Sequence, residues 1–162
     1  MSAVYFLSDL HLGHKNICKF RTDFLSVEEH NALIKENYHR RVTKRDTVYF
    51  LGDVAFDVES LADVKTWVGA KKILIAGNHC LDHFKMKDLV EAYDEVYSLK
   101  KYKEFWLSHA PIHPDELRGK VNIHGHTHYH NIADDRYVNV SLENINFTPI
   151  ELHEIRRNLN VK

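Results

Sequence analysis

The sequence is poor in the residues that staple, interrupt or span. Its two cysteines, Cys18 and Cys80, stand far apart and outside any Cys-x-x-Cys spacing. That excludes a disulfide framework and fits a reducing compartment. Three prolines and six glycines provide no Pro/Gly/Ser linker, and there is no low-complexity tract or internal repeat. The expectation is a single domain over residues 1–162, long enough to bury a core. No apolar run approaches a bilayer span, and the chain opens without a basic n-region or a signal-like apolar stretch. A cytoplasmic protein with no membrane partner is expected. An excess of one charge is also lacking: 22 Lys and Arg balance 23 Asp and Glu, for a net −1. No global basic field marks nucleic-acid binding, and Lys44-Arg45, Lys71-Lys72 and Lys100-Lys101 read as solvated pairs.

What is abundant is histidine, thirteen in all, a side chain suited to divalent metals. A pattern also recurs, in which a short apolar run ends in a polar, metal-type residue. Residues 4–7 lead to Asp9 and His11, 47–51 to Asp53, and 72–76 to Asn78 and His79. Residues 104–107 lead to His109, and 120–123 to a histidine cluster. Such β-branched and aromatic runs read as buried strands, and 137–141 alternates as a further one. Ser26-Val27-Glu28-Glu29 has the form of a capping box. It opens a helix to about Arg41 with Leu33, Ile34 and Tyr38 on one face. Residues 60–68 form a second helix with Leu61, Val64 and Val68 on its face, closed by Gly69. Residues 86–93 form a third. Residues 150–159 read as a terminal helix, although the Ile-Glu-Leu start equally suits a strand. Alternating strands and helices predict a layered α/β fold, in which ligands bind beyond the carboxyl ends of the strands. One rim of the sheet would gather every motif.

Those motifs are Asp9-Leu10-His11, Gly52-Asp53, Gly77-Asn78-His79, His109 and Gly125-His126-Thr127-His128. Their order, spanning about three quarters of the chain, resembles the calcineurin-like metallophosphoesterase superfamily. The resemblance implies a two-sheet β-sandwich flanked by helices with a dinuclear metal centre at the strand ends. It implies that Asp9, His11 and His128 hold one metal, that Asn78, His109 and His126 hold the other, and that Asp53 bridges them. His79 would be the catalytic proton donor or transition-state stabiliser, and not a ligand. The family commonly carries Asp or Glu after Gly-Asn-His, and Cys80 stands there instead. That puts the tuning of His79 in question, with Asp82 the nearest acid able to substitute.

The chemistry of these residues agrees. Two cations about 3.5–4 Å apart need a shared anionic ligand and acidify a water between them. The resulting hydroxide would attack phosphorus while His79 assists the leaving group. Mixed oxygen and nitrogen ligands suit manganese first, with Fe, Zn, Co or Ni as alternatives. His14 and Asn16 are candidate substrate contacts, weighed evenly against loop hydrogen bonds. Arg21 is a candidate phosphate clamp or a loop anchor. His124 reads as an outer donor or a satisfied strand-end residue, His113 as a loop residue that could border the pocket, and His130 as surplus to the ligand set. His30, His39, His83 and His153 read as surface or packing, and exposed Trp67 as a candidate interface residue. With little sequence between motifs for a cap, a phosphodiesterase acting on a small phosphodiester, cyclic nucleotide or nucleic-acid end is expected. The alternatives are a phosphomonoesterase and a protein-interaction scaffold of the same fold. No oligomeric state is specified.

Overall fold

The computed structural model describes residues 1–160. In chain order its first half contains β1 (Val4–Leu7), α1 (Val27–Arg41), β2 (Thr47–Phe50), α2 (Val58–Thr66), β3 (Lys71–Ile75), α3 (Cys80–His83) and α4 (Met86–Ala92). The second half contains β4 (Glu95–Tyr97), β5 (Leu99–Tyr102), β6 (Phe105–Ser108), β7 (Val121–His124), β8 (Tyr137–Asn139), β9 (Ile150–Glu151) and α5 (Leu152–Asn160). The strands make two sheets. One has the order β4-β3-β2-β1-β9, parallel except for β9, and the other the order β5-β6-β7-β8. In the second sheet β6, β7 and β8 are parallel and β5 is antiparallel to β6.

The first sheet is covered on both faces, so its strands read as unbroken apolar runs. Alternate residues point oppositely. Tyr5, Leu7, Val48, Phe50 and Leu74 pack with Ile34, Tyr38, Val64 and Leu89 of the helices. Phe6, Tyr49, Leu51, Ile73 and Ile75 pack with Phe105, Leu107 and Ile123 of the second sheet. Two sheets flanked by helices, with strands and helices alternating, match the expected α/β class.

Several local expectations change. The second helix begins at Val58, with Asp57 accepting from Ser60 N–H, and ends at Thr66. It stops before Gly69 because Trp67 turns into extended backbone and its indole N–H donates back to Asp63 Oδ2 at 2.9 Å. Trp67 is buried against Tyr38 and is therefore no interface residue. Leu33 and Val68 are exposed; the inner face of α1 uses His30, Ile34, Asn37 and Tyr38. The Ile-Glu start of the terminal segment pairs with β1 before the helix begins. The stretch from Glu95 to Tyr102, not anticipated as strand, supplies the edge of each sheet in turn and crosses between them at Ser98.

Candidate metal centre

Beyond the strand ends the backbone turns through conformations that L-residues seldom adopt. Asp9, His11, Asp53, His126 and His128 all have φ between +48° and +69°. They make up five of the nine non-glycine residues with positive φ among those described. Such strain persists where surrounding structure over-determines it, and it clusters at functional sites. Here the loops are stitched to one another. Asp9 N–H donates to Gly52 C=O and His11 N–H to Asp53 C=O, both at 3.0 Å, and Gly125 N–H donates to His109 C=O at 2.8 Å. Two glycines let the loops close. At Gly52, with φ +97°, a Cβ would collide with His109 Nδ1; at Gly77 it would collide with the Asp53 carboxylate.

The side chains converge in two adjoining groups, Asp9 with His11 and His128, and Asp53 with His109 and His126. In the first, Asp9 Oδ1 lies 3.9 Å from His11 Nε2 and 3.7 Å from His128 Nε2. In the second, His109 Nε2 lies 3.1 Å from Asp53 Oδ2, 2.9 Å from Asn78 Oδ1 and 3.3 Å from His126 Nδ1. His109 Nε2 also approaches Asp9 Oδ1 to 4.0 Å, joining the groups.

Burial by itself would push the Asp9 carboxyl up. His11, His109, His128 and the His126 N–H override it and hold Asp9 below the usual carboxylate range. The same contest, with His109 as the main opposing partner, lowers Asp53. Burial lowers His11. His109 is raised because Asp53 and Asp9 outweigh its burial, and His128 is raised mainly by Glu143.

The arrangement fits divalent cations. Asp9 Oδ1 and His11 Nε2 are buried and lack a hydrogen-bond partner, a costly state for polar atoms unless something else engages them. His109 Nδ1 donates to Leu51 C=O at 2.6 Å, so the neutral tautomer turns the Nε2 lone pair toward Asp53 and Asn78 oxygens. Converging lone pairs repel one another and are reconciled by a cation. Oxygen and imidazole donors without thiolate suit a borderline or hard divalent metal.

No family model matches the sequence. It is 32% identical to the Methanocaldococcus jannaschii protein MJ1445, itself uncharacterized, over 94% of this chain and 88% of that one. It is 33% identical to the gene 66 protein of Mycobacterium phage L5, over 79% of this chain and 78% of that protein. The chain belongs to the family of MJ1445 and the phage gene 66 protein. The crystal structure of AQ665, a protein of unknown function from Aquifex aeolicus, superposes with a TM-score of 0.75 at 26% identity. The match covers 98% of this chain and all of AQ665.

In this member of the MJ1445 family the remaining candidates divide clearly. His79 lines a 540 Å³ cavity beside the first metal group, as do His14, His11, His126 and His128. Its Nδ1 sits 3.0 Å from Asp82 Oδ2, so Asp82 holds the ring from one turn further along the chain. Cys80 is buried, its Sγ accepts from Gly77 N–H at 3.2 Å, and burial raises its thiol. The sulfur thus caps the turn that presents Asn78. Asn16 is exposed and lies outside the cavity wall.

Arg21 requires correction as a substrate contact. It is 3% exposed, and its guanidinium donates to Asp9 C=O, Leu10 C=O and Glu143. It anchors the ligand loop from beneath, with no donor left for a phosphate in the cavity. Among the secondary candidates, His124 is buried with Nδ1 on Gly125 C=O, and His113 is an exposed turn residue. His130 lies in neither ligand group and lines the cavity.

Sequence reasoning missed Glu143, Ser141 and Phe56. Glu143 Oε1 receives His128 Nδ1 at 3.0 Å and Arg21 at 2.8 Å. Ser141 Oγ donates to Asp9 Oδ2 at 2.8 Å. Phe56 stacks on His11 and His14 at 4.6 and 4.8 Å. Glu143 follows the strand-like run 137–141, so the same strand-then-acid pattern that exposed the other motifs would have found it.

Proposed function

We propose that this protein is a metal-dependent phosphoester hydrolase of the calcineurin-like metallophosphoesterase type, built as one catalytic domain and acting on phosphodiesters. The observation that carries the reading is the convergence of carboxylate and imidazole ligand atoms in two adjoining groups at the strand ends, with Asp9 Oδ1 and His11 Nε2 of the first group buried and unpartnered. Asp9, His11 and His128 would hold one divalent cation and Asn78, His109 and His126 a second, with Asp53 shared. Manganese is the first choice for both. When bound, such a pair neutralises phosphate charge and supplies an acidified water as nucleophile.

The chain's own residues do the rest. Asp9 is fixed through Oδ2 by the His126 N–H and the Ser141 hydroxyl, leaving Oδ1 to face the imidazoles. His128 donates Nδ1–H to Glu143, which orients Nε2 inward and raises its basicity. His109 does the same through Leu51 C=O. His79 donates Nδ1–H to Asp82 and keeps Nε2 for the leaving oxygen, to which it delivers a proton. That it lines the cavity without joining either ligand group supports this division of labour.

The test is hydrolysis of an aryl phosphodiester beside the matching monoester, with metal-stripped protein, Mn²⁺-reloaded protein and an Asn78→Ala/His126→Ala variant. Metal-dependent diester turnover, lost in the variant, is expected. Preferred monoester turnover would make the protein a phosphatase. Binding of two metals with turnover of neither ester would favour the scaffold, and failure to bind metal would end the dinuclear reading.

A further inference from the structure

Two cavities, not one, open onto the metal centre. The first, of 540 Å³, is bounded by His79, His14, Phe20 and Tyr129. The second, of 500 Å³, is bounded by Asn78 and His109 together with Leu99, Pro111 and Ile112. His126 is a wall of both. Each cavity pairs metal-ligand candidates with apolar side chains that the fold leaves exposed. Phe20 is 67% exposed and Tyr129 63% on the first side, and Leu99 is 45% exposed on the second. Exposed apolar surface gathered around a polar centre is the ordinary make-up of a small-molecule site. Among the described residues neither cavity is lined by Lys or Arg, so imidazoles are the cationic groups the first can offer and the second has only His109 and His126.

Resting on the phosphoesterase reading, we propose that the substrate is a linear phosphodiester with an uncharged aromatic or apolar group on each side of phosphorus, one arm per cavity. The scissile phosphate lies where the cavities meet at His126. The leaving arm occupies the first cavity, because His79 lines that one and not the other. An aromatic leaving group would lie against Phe20 and Tyr129, near the His14 ring, which is 6.3 Å from Phe20 and tilted by only 17°. The retained arm would lie on Leu99 and Ile112. In the reaction water forms the new bond to phosphorus, and the bond from phosphorus to the oxygen of the first arm breaks. That oxygen takes the His79 proton, and the proton released by water restores His79. A monoester fills one arm only, and a nucleotide bearing a further phosphate places charge where no Lys or Arg among the described residues answers it.

The experiment compares three nitrophenyl esters with Mn²⁺-loaded protein: phenyl p-nitrophenyl phosphate, methyl p-nitrophenyl phosphate and p-nitrophenyl phosphate. Burial of the retained ring is expected to favour the phenyl over the methyl diester in kcat/KM by about tenfold or more, with the monoester slowest. In titration calorimetry diphenyl phosphate should bind the loaded protein about tenfold more tightly than dimethyl phosphate. Leu99→Ser should reduce the phenyl-to-methyl ratio, and Tyr129→Ala should weaken diphenyl phosphate binding. Equal turnover of the two diesters with equal binding of the two phosphates overturns the two-armed site while leaving the phosphoesterase reading intact. Turnover of none of the three by protein holding two metals overturns both.

Discussion

His128 is held from both ends. Its Nε2 faces Asp9 Oδ1, and its Nδ1–H is taken by Glu143, a carboxylate itself locked by Arg21. Outer carboxylates of this kind orient a ligating imidazole and make it a stronger donor. Glu143→Gln should therefore weaken one of two metal-binding events, on the order of 10–100-fold, and leave the other near its original value; a Mn²⁺ titration by calorimetry resolves the two. His30 lies deeper in the same network. Arg21 donates to its Nε2 at 2.8 Å, so Nδ1 carries the proton and donates to Asn31 Oδ1. Burial, with the Arg21 charge adding to it, lowers its pKa to about 4. The sign follows. The unfolded chain takes up this proton near pH 6.5 and the folded one only near 4, so stability is full above 6.5 and falls as the pH drops through that window. The loss from this residue is about 3 kcal/mol. Denaturant unfolding from pH 7 to 4 should show a shallower decline in His30→Gln than in the wild type.

At the level of elements, helix starts and the loops after strands carry different burdens. Ser26 Oγ accepts from Glu29 N–H at 3.1 Å, as the capping box foresaw, while the Glu29 carboxylate reaches Leu25 N–H at 2.9 Å, one residue before the cap. Ser26→Ala should cost about 1 kcal/mol by urea unfolding and leave metal stoichiometry at the wild-type value. The loop after β3 behaves oppositely. Gly77 packs directly on Asp53, whose backbone N would lie 2.8 Å from an added Cβ and whose Oδ1 would be closer still. Gly77→Ala should cost about 1–3 kcal/mol, the usual penalty of overpacking, and should also lower metal content by elemental analysis because Asp53 must move. A stability loss with full metal content would show that the glycine serves packing alone.

Across the whole molecule, two sheets from distant parts of the chain meet over one apolar layer, and each contributes candidate ligands at the common rim. Asp9, Asp53 and Asn78 follow strands of the first sheet, and His109, His126 and His128 follow strands of the second. A cation that joins the two sets binds the folded state and not the unfolded one. At a hundredfold excess over its dissociation constant it adds about 2.7 kcal/mol, a rise in Tm of about 5–10 °C for a domain of this size. Thermal unfolding in chelator and in excess Mn²⁺ should show that gap, and Asp9→Asn should close most of it.

The sequence by itself determined the residue types of the candidate site, its order along the chain and the alternation of buried strands with helices. These are local properties: apolar period, caps, and donor chemistry beside strand ends. Residues whose role depends on a distant partner were not readable there. Arg21 read as a phosphate clamp or a loop anchor, and only the three acceptors from other segments that occupy it favour the anchor. Glu143 follows a strand-like run as the other motifs do, but that its carboxylate serves His128 only the fold decided. The strands from Glu95 to Tyr102 escaped notice because edge strands are half-exposed and carry no continuous apolar run. Only the tertiary structure could decide that two cavities share His126, since their walls come from the segments after β1, β3, β4, β6, β7 and β8, which the sequence keeps far apart.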